Sequence, residues 1–502
     1  MRTKQRIHKI GGAILVGALF FAACSVLLDH DKTQCSTDSD CEHFGGHPYC
    51  VSGVCEASGL GPADCFLGTP MGSADFANQC SVATCGAFDN CARLGLCGSN
   101  DMVPAAVNPP DAAAGATADA STPPEMPPCV DPTTRNTVVV SGSTAVQPFM
   151  SVIAPILAAN SPPYQIAYQP SGSCTGIGYM FATTPAKQLV LDIPGKQALL
   201  FNTDGTSVSC TFGSGVQLDV AVSDVWSQTC NGSDLANAQF ADYHGPIQPM
   251  VFVVPSVSDQ DTISAEMGHV VFGNGATDSS AAPWTNPTLY FVRNASSGTQ
   301  NMISRAVGLD PTKWWGIDRG GSPQVRDEME AVSPDQAGSA IGILSTDFAD
   351  AERGRLRILA YKGDDQECAY YPDTTVNDRD KANVRDGHYG IWGPIHFYAK
   401  IANGDPSAAA GALVTRFTLT RPDQTLLQAI TQIGFVPDCA MSVSRSSEMG
   451  PLSVYAPEYQ CKCYFEANVP GGAAGSDCIA CTGPSDCPAS KPACNAGYCE
   501  VQ

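Results

Sequence analysis

Cys35, Cys41, Cys50 and Cys55 are separated by five, eight and four residues, and Cys481, Cys487, Cys494 and Cys499, at the other end, by five, six and four. The flanks agree: Ser39-Asp-Cys41 matches Ser485-Asp-Cys487, and Tyr49-Cys50-Val-Ser-Gly-Val-Cys55-Glu matches Ala493-Cys494-Asn-Ala-Gly-Tyr-Cys499-Glu. This is an internal repeat. Stretches so dense in cysteine and so poor in large apolar residues cannot build a core, and they hold a shape only when bridged. The chain has 23 cysteines; setting Cys24 aside leaves 22, an even number that suits pairing in an exported protein. Zinc is the competing use, prompted by Cys461-Lys-Cys463 and Cys478-Ile-Ala-Cys481. Small stapled modules at both ends leave the core to the chain between them.

Export is written at the start. Met1-Arg-Thr-Lys-Gln-Arg-Ile-His-Lys9 is basic, and Ile10 to Ala23 is an apolar run too short to span a bilayer. Residues 1–23 therefore read as a signal peptide. It closes Phe21-Ala-Ala-Cys24, which resembles a bacterial lipoprotein box, with Cys24 as the lipidated residue; the alternative is an ordinary cut after Ala22-Ala23. The end modules, placed at 24–97 and 455–502, resemble the small cysteine-rich modules of secreted and cell-surface proteins, of the Dickkopf-like kind. Cys65, Cys80, Cys85, Cys91 and Cys97 suggest a second knot in the first of them. Residues 98–136, rich in Pro, Ala, Asp and Thr, read as a linker that holds the rest away from a membrane.

Formal net charge is −22. The first 23 residues carry four basic and no acidic residues, so a chain cut there carries −22 − 4 = −26. That argues against a nucleic-acid or anionic-membrane surface role. Any anion site must rely on local donors.

Residues 137–450 form the main domain. Val138, Val139 and Val140 are continuous and β-branched, which suits a strand covered on both faces. Ser141-Gly-Ser143 breaks the run, and Pro148 suits the first turn of a helix. Val152, Ile153, Ile156 and Leu157 give that helix an apolar stripe, and Pro155 predicts a kink or early end. Tyr164–Tyr168, Leu218–Val222, Met250–Val254 and Thr288–Val292 read as further strands, and Leu189–Phe212 as a hairpin turning at Asn202-Thr-Asp-Gly205. Strands alternate with helices, so the class is α/β with mostly parallel sheets.

Three of the strand–turn–helix junctions are loaded with Ser, Thr and Gly, a fourth strand ends in Asp224, and Arg293 stands four residues before Ser297. In open α/β sheets ligands bind beyond the strand C-termini. Collected there, these loops offer hydroxyl and N–H donors, one fixed cation and one carboxylate, an inventory for a protonated oxyanion. Taken singly each has a plainer use: Ser296 or Ser297 and Asp224 as helix caps, Arg293 in a surface ion pair.

In this order the motifs resemble the phosphate-binding proteins of the periplasmic substrate-binding superfamily, over roughly 137–445. Gly142-Ser-Thr-Ala-Val-Gln-Pro148 is similar to the family's first phosphate loop, bringing in Ser143, Thr144 and Ala145. Tyr168-Gln-Pro-Ser-Gly-Ser-Cys-Thr-Gly-Ile177 is similar to the second, with Ser173 at the phosphate-binding position. Asp219-Val-Ala-Val-Ser-Asp224 matches the segment ending in the phosphate-reading Asp. Arg293 with Ser297, Gly298 and Thr299 matches the family's Arg and Ser-Gly-Thr loop. Ala340-Ile-Gly-Ile343 is similar to a later Ala-Ile-Gly-Tyr segment. The chain departs at Ala145, where a ligand hydroxyl is usual, at Ala295, often acidic, and over Ile177–Leu218, which is longer than the family needs. Cys174, Cys210 and Cys230 flank the site.

The resemblance implies a two-lobed α/β periplasmic-binding-protein fold with hinge crossings, one lobe from 137–248 and 356–445, the other from 249–355. It implies capture of inorganic phosphate or a similar oxyanion at the cell envelope by a lipid-anchored receptor, delivery to an ABC importer permease, no cofactor and no metal. No Gly-x-Ser-x-Gly, Walker or His-Glu-x-x-His motif argues for an enzyme; His388 and His396 read as polar residues near a return strand. A weak phosphatase, or a surface scaffold with a vestigial cleft, are the alternatives.

Overall fold

The computed structural model describes residues 40, 49–51, 54–56, 65–66, 68–98, 100–109, 126–131, 136–230, 239–275 and 279–501. The signal peptide, Cys24, and Cys35 and Cys41 of the first repeat lie outside the described residues. The chain divides into two compact units, Met1–Cys65 and Phe66–Gln502. Of the first, the hairpin Tyr49–Val51 with Val54–Glu56 is described, Cys50 opposite Cys55. In the second, Cys494 lies opposite Cys499 in the same register.

The second unit is built on a twelve-stranded sheet that is mixed rather than mostly parallel, because the long crossing strands and the hairpin pair antiparallel. Its first strand, β1 (Asn136–Gly142), pairs in parallel with β2 (Tyr164–Gln169) and β5 (Val220–Ser223). The valine run is buried on both sides as its composition requires: Val138 and Val140 face one apolar cluster, Val139 another. The helix after β1, α1 (Gln147–Ala158), continues past Pro155. The turn at Gly205 sits against the Ser151 carbonyl, and Ser151 Oγ donates to the Gly205 carbonyl at 2.7 Å. α2 (Ser173–Met180) follows β2, and the hairpin is present as β3 (Ala198–Phe201) and β4 (Ser207–Cys210), which extend the sheet.

Two long antiparallel strands carry the chain between lobes. In β6 (Phe240–Pro255), Phe240–His244 pair with Lys400–His396 of β11 (Trp392–Ala402) in the first lobe. The ladder is broken between His244 and Ile247, and Met250–Val253 then pair with β9 (Ile341–Ser345) in the second lobe. That lobe also holds α3 (Ala265–Asn274), β7 (Tyr290–Val292), α4 (Gly298–Ala306), β8 (Ile317–Asp318), α5 (Ser322–Glu330) and α6 (Thr346–Ala351). The fold is thus a two-lobed α/β architecture with two crossings.

The return crossing lies at Trp392–Pro394 rather than near residue 356. Leu356–Ile358, strand β10, adds to β6, and Ala360–Lys362 pairs in parallel with Thr262–Ser264. Leu356, Ile358, Leu359 and Tyr361 consequently fill the second-lobe core. Residues flanking the domain are fastened to it. Phe76 and Phe88 enter the same core, and Cys85 is bonded to Cys368. Cys91 pairs locally with Cys97. Of the expected linker, Val107 N donates to the Gly273 carbonyl at 2.8 Å, and Cys129 is bonded to Cys210. At the far end Cys439–Cys461 ties the domain to the module, which is closed by Cys463–Cys478, Cys481–Cys494 and Cys487–Cys499. The cysteines that suggested zinc are therefore in disulfides. Among the described residues no helix is long and apolar enough to cross a membrane.

Candidate functional site

Five strand ends bring the site together. β1 ends in Gly142 at φ 149°, where a Cβ would fall 1.8 Å from the Val222 carbonyl oxygen. Only glycine lets β1 close on β5 there. The 3-10 turn Thr144–Val146 then leads into α1, capped by Ser143, whose hydroxyl accepts from Ala145 N at 3.1 Å. Ser173 opens α2 behind β2, and Asp224 follows β5. Arg293 follows β7, with Ser297, Gly298 and Thr299 starting α4, and Ser322 opens α5 behind β8. Four helical N-termini thus converge, each bringing a partial positive charge.

The side chains meet. Ser143, Thr144, Ser173, Asp224, Arg293, Ser297, Thr299 and Ser322 are all buried. Arg293 Nη2 donates to Thr144 Oγ1 at 3.0 Å, Nη1 to Ser322 Oγ at 3.1 Å and Nε to the Gly320 carbonyl at 3.2 Å. Among the described residues its hydrogen bonds go to neutral groups only. A wholly buried cation served only by hydroxyls and a carbonyl is costly unless an anion joins it. Burial brings its pKa down to about 10, opposed by the charges of Asp318 and Asp224, so it stays protonated at neutral pH.

Asp224 stands across from it. Ser173 Oγ donates to Asp224 Oδ2 at 3.3 Å, while Asp224 Oδ1 and Thr299 Oγ1 are buried without a hydrogen-bond partner. Burial lifts the Asp224 carboxyl to about 6, against the Ser143 hydroxyl, the Arg293 charge, the Ser173 hydroxyl and the Thr299 N–H. At pH 7 and above it is mainly ionised and can only accept.

The remaining sequence candidates have local duties. Ser297 caps α4, accepting from Gln300 N at 3.4 Å. Gly298 leaves room for its neighbours: a Cβ there would lie 2.4 Å from Ser173 Oγ and 2.6 Å from Asp224 Oδ2. The N–H of Ala145 is spent on Ser143, and its carbonyl accepts from Gln248 Nε2 at 3.0 Å. His388 bonds Asp386 and the Gln79 carbonyl, and His396 bonds Asp242.

Sequence reading missed three contributors. Ser322 sits in Gly320-Gly321-Ser322-Pro323, the same glycine–serine turn before a helical proline that marked Ser143. The Tyr168 hydroxyl donates to the Ser143 carbonyl and lies near both Asp224 and Arg293. Lys196, from the long segment after α2, donates to the Ser171 carbonyl at 2.7 Å. Burial, and next the Arg293 charge, hold its pKa below the ordinary lysine value. The insertion thus adds a second cation, on the loop that carries Ser171.

No protein-family model matches the chain, and no curated protein matches it. Among solved structures it is similar to an ABC-type phosphate transport receptor from Vibrio cholerae, at 15% identity and TM-score 0.39, covering 60% of this chain and 99% of that one. It is also similar to a phosphate-binding protein from Stenotrophomonas maltophilia, at 13% identity and TM-score 0.38, covering 60% and 91%. The OxyR regulatory domain from Pseudomonas aeruginosa gives 8% identity and TM-score 0.32, covering 56% and 96%.

Proposed function

We propose that this chain is an extracytoplasmic receptor that captures inorganic phosphate. The observation that carries the reading is Arg293, a buried guanidinium whose hydrogen bonds among the described residues go to neutral groups only, where helical N-termini converge. An oxyanion seated there receives Arg293, the hydroxyls of Thr144, Ser173, Thr299 and Ser322, and helical N–H groups. Asp224 adds an acceptor, which suits an anion that still carries a proton. Thr144 substitutes for the hydroxyl that Ala145 lacks.

Capture rather than hydrolysis is proposed because the hydrogen bonds of His388 and His396 go to Asp386, the Gln79 carbonyl and Asp242, none of them a cleft residue. Anchoring through lipid on Cys24 and delivery to an ABC importer permease follow from the sequence resemblances and belong to the same proposal. Equilibrium dialysis of the purified chain against labelled phosphate tests the reading. Retention that excess phosphate abolishes, and that sulfate and a phosphomonoester leave largely intact, supports it. Absence of retained phosphate, or equal displacement by all three, contradicts it.

A further inference from the structure

Asp242 and His244 stand two residues apart on β6, so their side chains leave the same face of the sheet. His396 of β11 lies directly opposite His244 in the ladder. The three groups meet. His396 Nδ1 is 2.8 Å from Asp242 Oδ2, and His244 Nε2 is 3.3 Å from the same oxygen. One ligand atom from each lies within 4.8 Å of the other two. A tetrahedral zinc ion with bonds of about 2.0–2.1 Å sets its ligands about 3.3 Å apart. Two residues of one strand and one of its neighbour supply that spacing with little movement.

A structural His–Asp pair accounts for His396 and Asp242 but not for the whole cluster. His244 brings a second imidazole to the same carboxylate although its side chain is 52% exposed. His396 is wholly buried with Nε2 unpartnered, and Asp242 Oδ1 is unpartnered too. The Trp226 ring covers His396, with centroids 4.5 Å apart. His244 also lines a cavity of about 420 Å³ together with Asp438 and Tyr455, which leaves room for a water ligand. None of the three residues takes part in the anion cleft.

We propose that Asp242, His244 and His396 bind a divalent transition metal of the zinc type, with a fourth ligand from the cavity. Two imidazoles and one carboxylate suit zinc or cobalt better than magnesium or calcium. The ion would clasp the two crossing strands on the first-lobe side of the break after His244. It would also sit beside Trp226, two residues beyond Asp224, so metal occupancy would stiffen one wall of the cleft.

The test is a titration of the full metal-stripped chain with zinc, and separately with cobalt, in wild type, His244→Ala and His244→Gln. Exposure of His244 and the near-isosteric Gln keep the variants foldable, and circular dichroism checks them. Loss of an outer-sphere partner alone weakens a metal site by about 10–100-fold, so loss of this direct ligand should cost at least about 100-fold. Wild type should bind one equivalent more than either variant at zinc concentrations near its own Kd, and its cobalt form should show the intense visible bands of a four-coordinate ion. Zinc binding by wild type that matches the variants in stoichiometry and affinity overturns the site. So does a weak, octahedral cobalt spectrum in wild type, a result that needs no variant at all.

Discussion

Arg293 of the second lobe donates to Thr144 Oγ1 of the first at 3.0 Å, a hydrogen bond that spans the cleft and joins the cation to the first loop. A hydrogen bond to a charged group contributes about 1.5–3 kcal/mol. Arg293→Ala should weaken phosphate at least about tenfold. Thermal stability without ligand should be unchanged or higher, because a buried cation without a carboxylate partner costs stability. Phosphate titration with parallel melting curves checks both, and unchanged affinity would remove Arg293 from the site.

Gly298 is tested by adding one methyl group. Its Cβ would overlap Ser173 Oγ and Asp224 Oδ2, both buried. Forcing a group into a packed site costs about 1–3 kcal/mol, so Gly298→Ala should lower phosphate affinity by roughly 10–100-fold. Helix α4 should persist, since alanine favours helix. Calorimetry and circular dichroism together separate this from unfolding.

Asp224 should also show itself in the pH dependence of stability. Its carboxyl titrates near 6 in the folded chain, above its ordinary 3.8, so the folded state holds that proton more tightly than the unfolded state. Above pH 6 the folded protein bears the cost of a buried charge. Below about pH 4 both states are protonated and the cost is gone. Asp224→Asn should therefore stabilise the ligand-free protein at about pH 8 by something on the order of 3 kcal/mol. The gain should fade as pH falls from 6 to 4. Urea unfolding at the two ends of that range decides, and a gain of equal size at both would refute the desolvation account.

The Cys85–Cys368 bond ties residues 283 apart and anchors Phe76 and Phe88 against the second lobe. Disulfides of this kind stabilise by about 2–5 kcal/mol. Replacing both cysteines by serine should lower the melting temperature while leaving phosphate affinity near wild type, since neither residue touches the cleft. A calorimetric scan with a phosphate titration reads both. Loss of phosphate binding in a folded variant would show that the flanking segment shapes the site.

Much of the cleft was legible because each part carries a local signature. Val138–Val140, continuous and β-branched, suits a covered strand, and the Ser/Gly turn followed by Pro148 suits its end and a helix start. Ser322 escaped because its turn follows the two-residue strand Ile317–Asp318, too short to leave an apolar run. The return crossing was misplaced because the pairing of Leu356–Ile358 with β6 is a contact across the chain, and no local pattern encodes it. For the same reason Cys85 read as part of a knot, when its partner lies in the second lobe.

The most direct test of the cleft is calorimetry of wild type and Asp224→Asn with phosphate and with sulfate. Near neutral pH phosphate carries at least one proton and sulfate none. Ionised Asp224 accepts a hydrogen bond from the first and faces lone pairs on the second. Sites built around such a bond reject an analogue lacking it by about 10⁴-fold. Wild type should bind phosphate more tightly than sulfate by a factor of that order, and Asp224→Asn should narrow the gap, because its amide can donate to sulfate. Equal binding of the two anions by wild type, or undiminished discrimination by the Asn variant, would contradict Asp224 as the group that reads the proton.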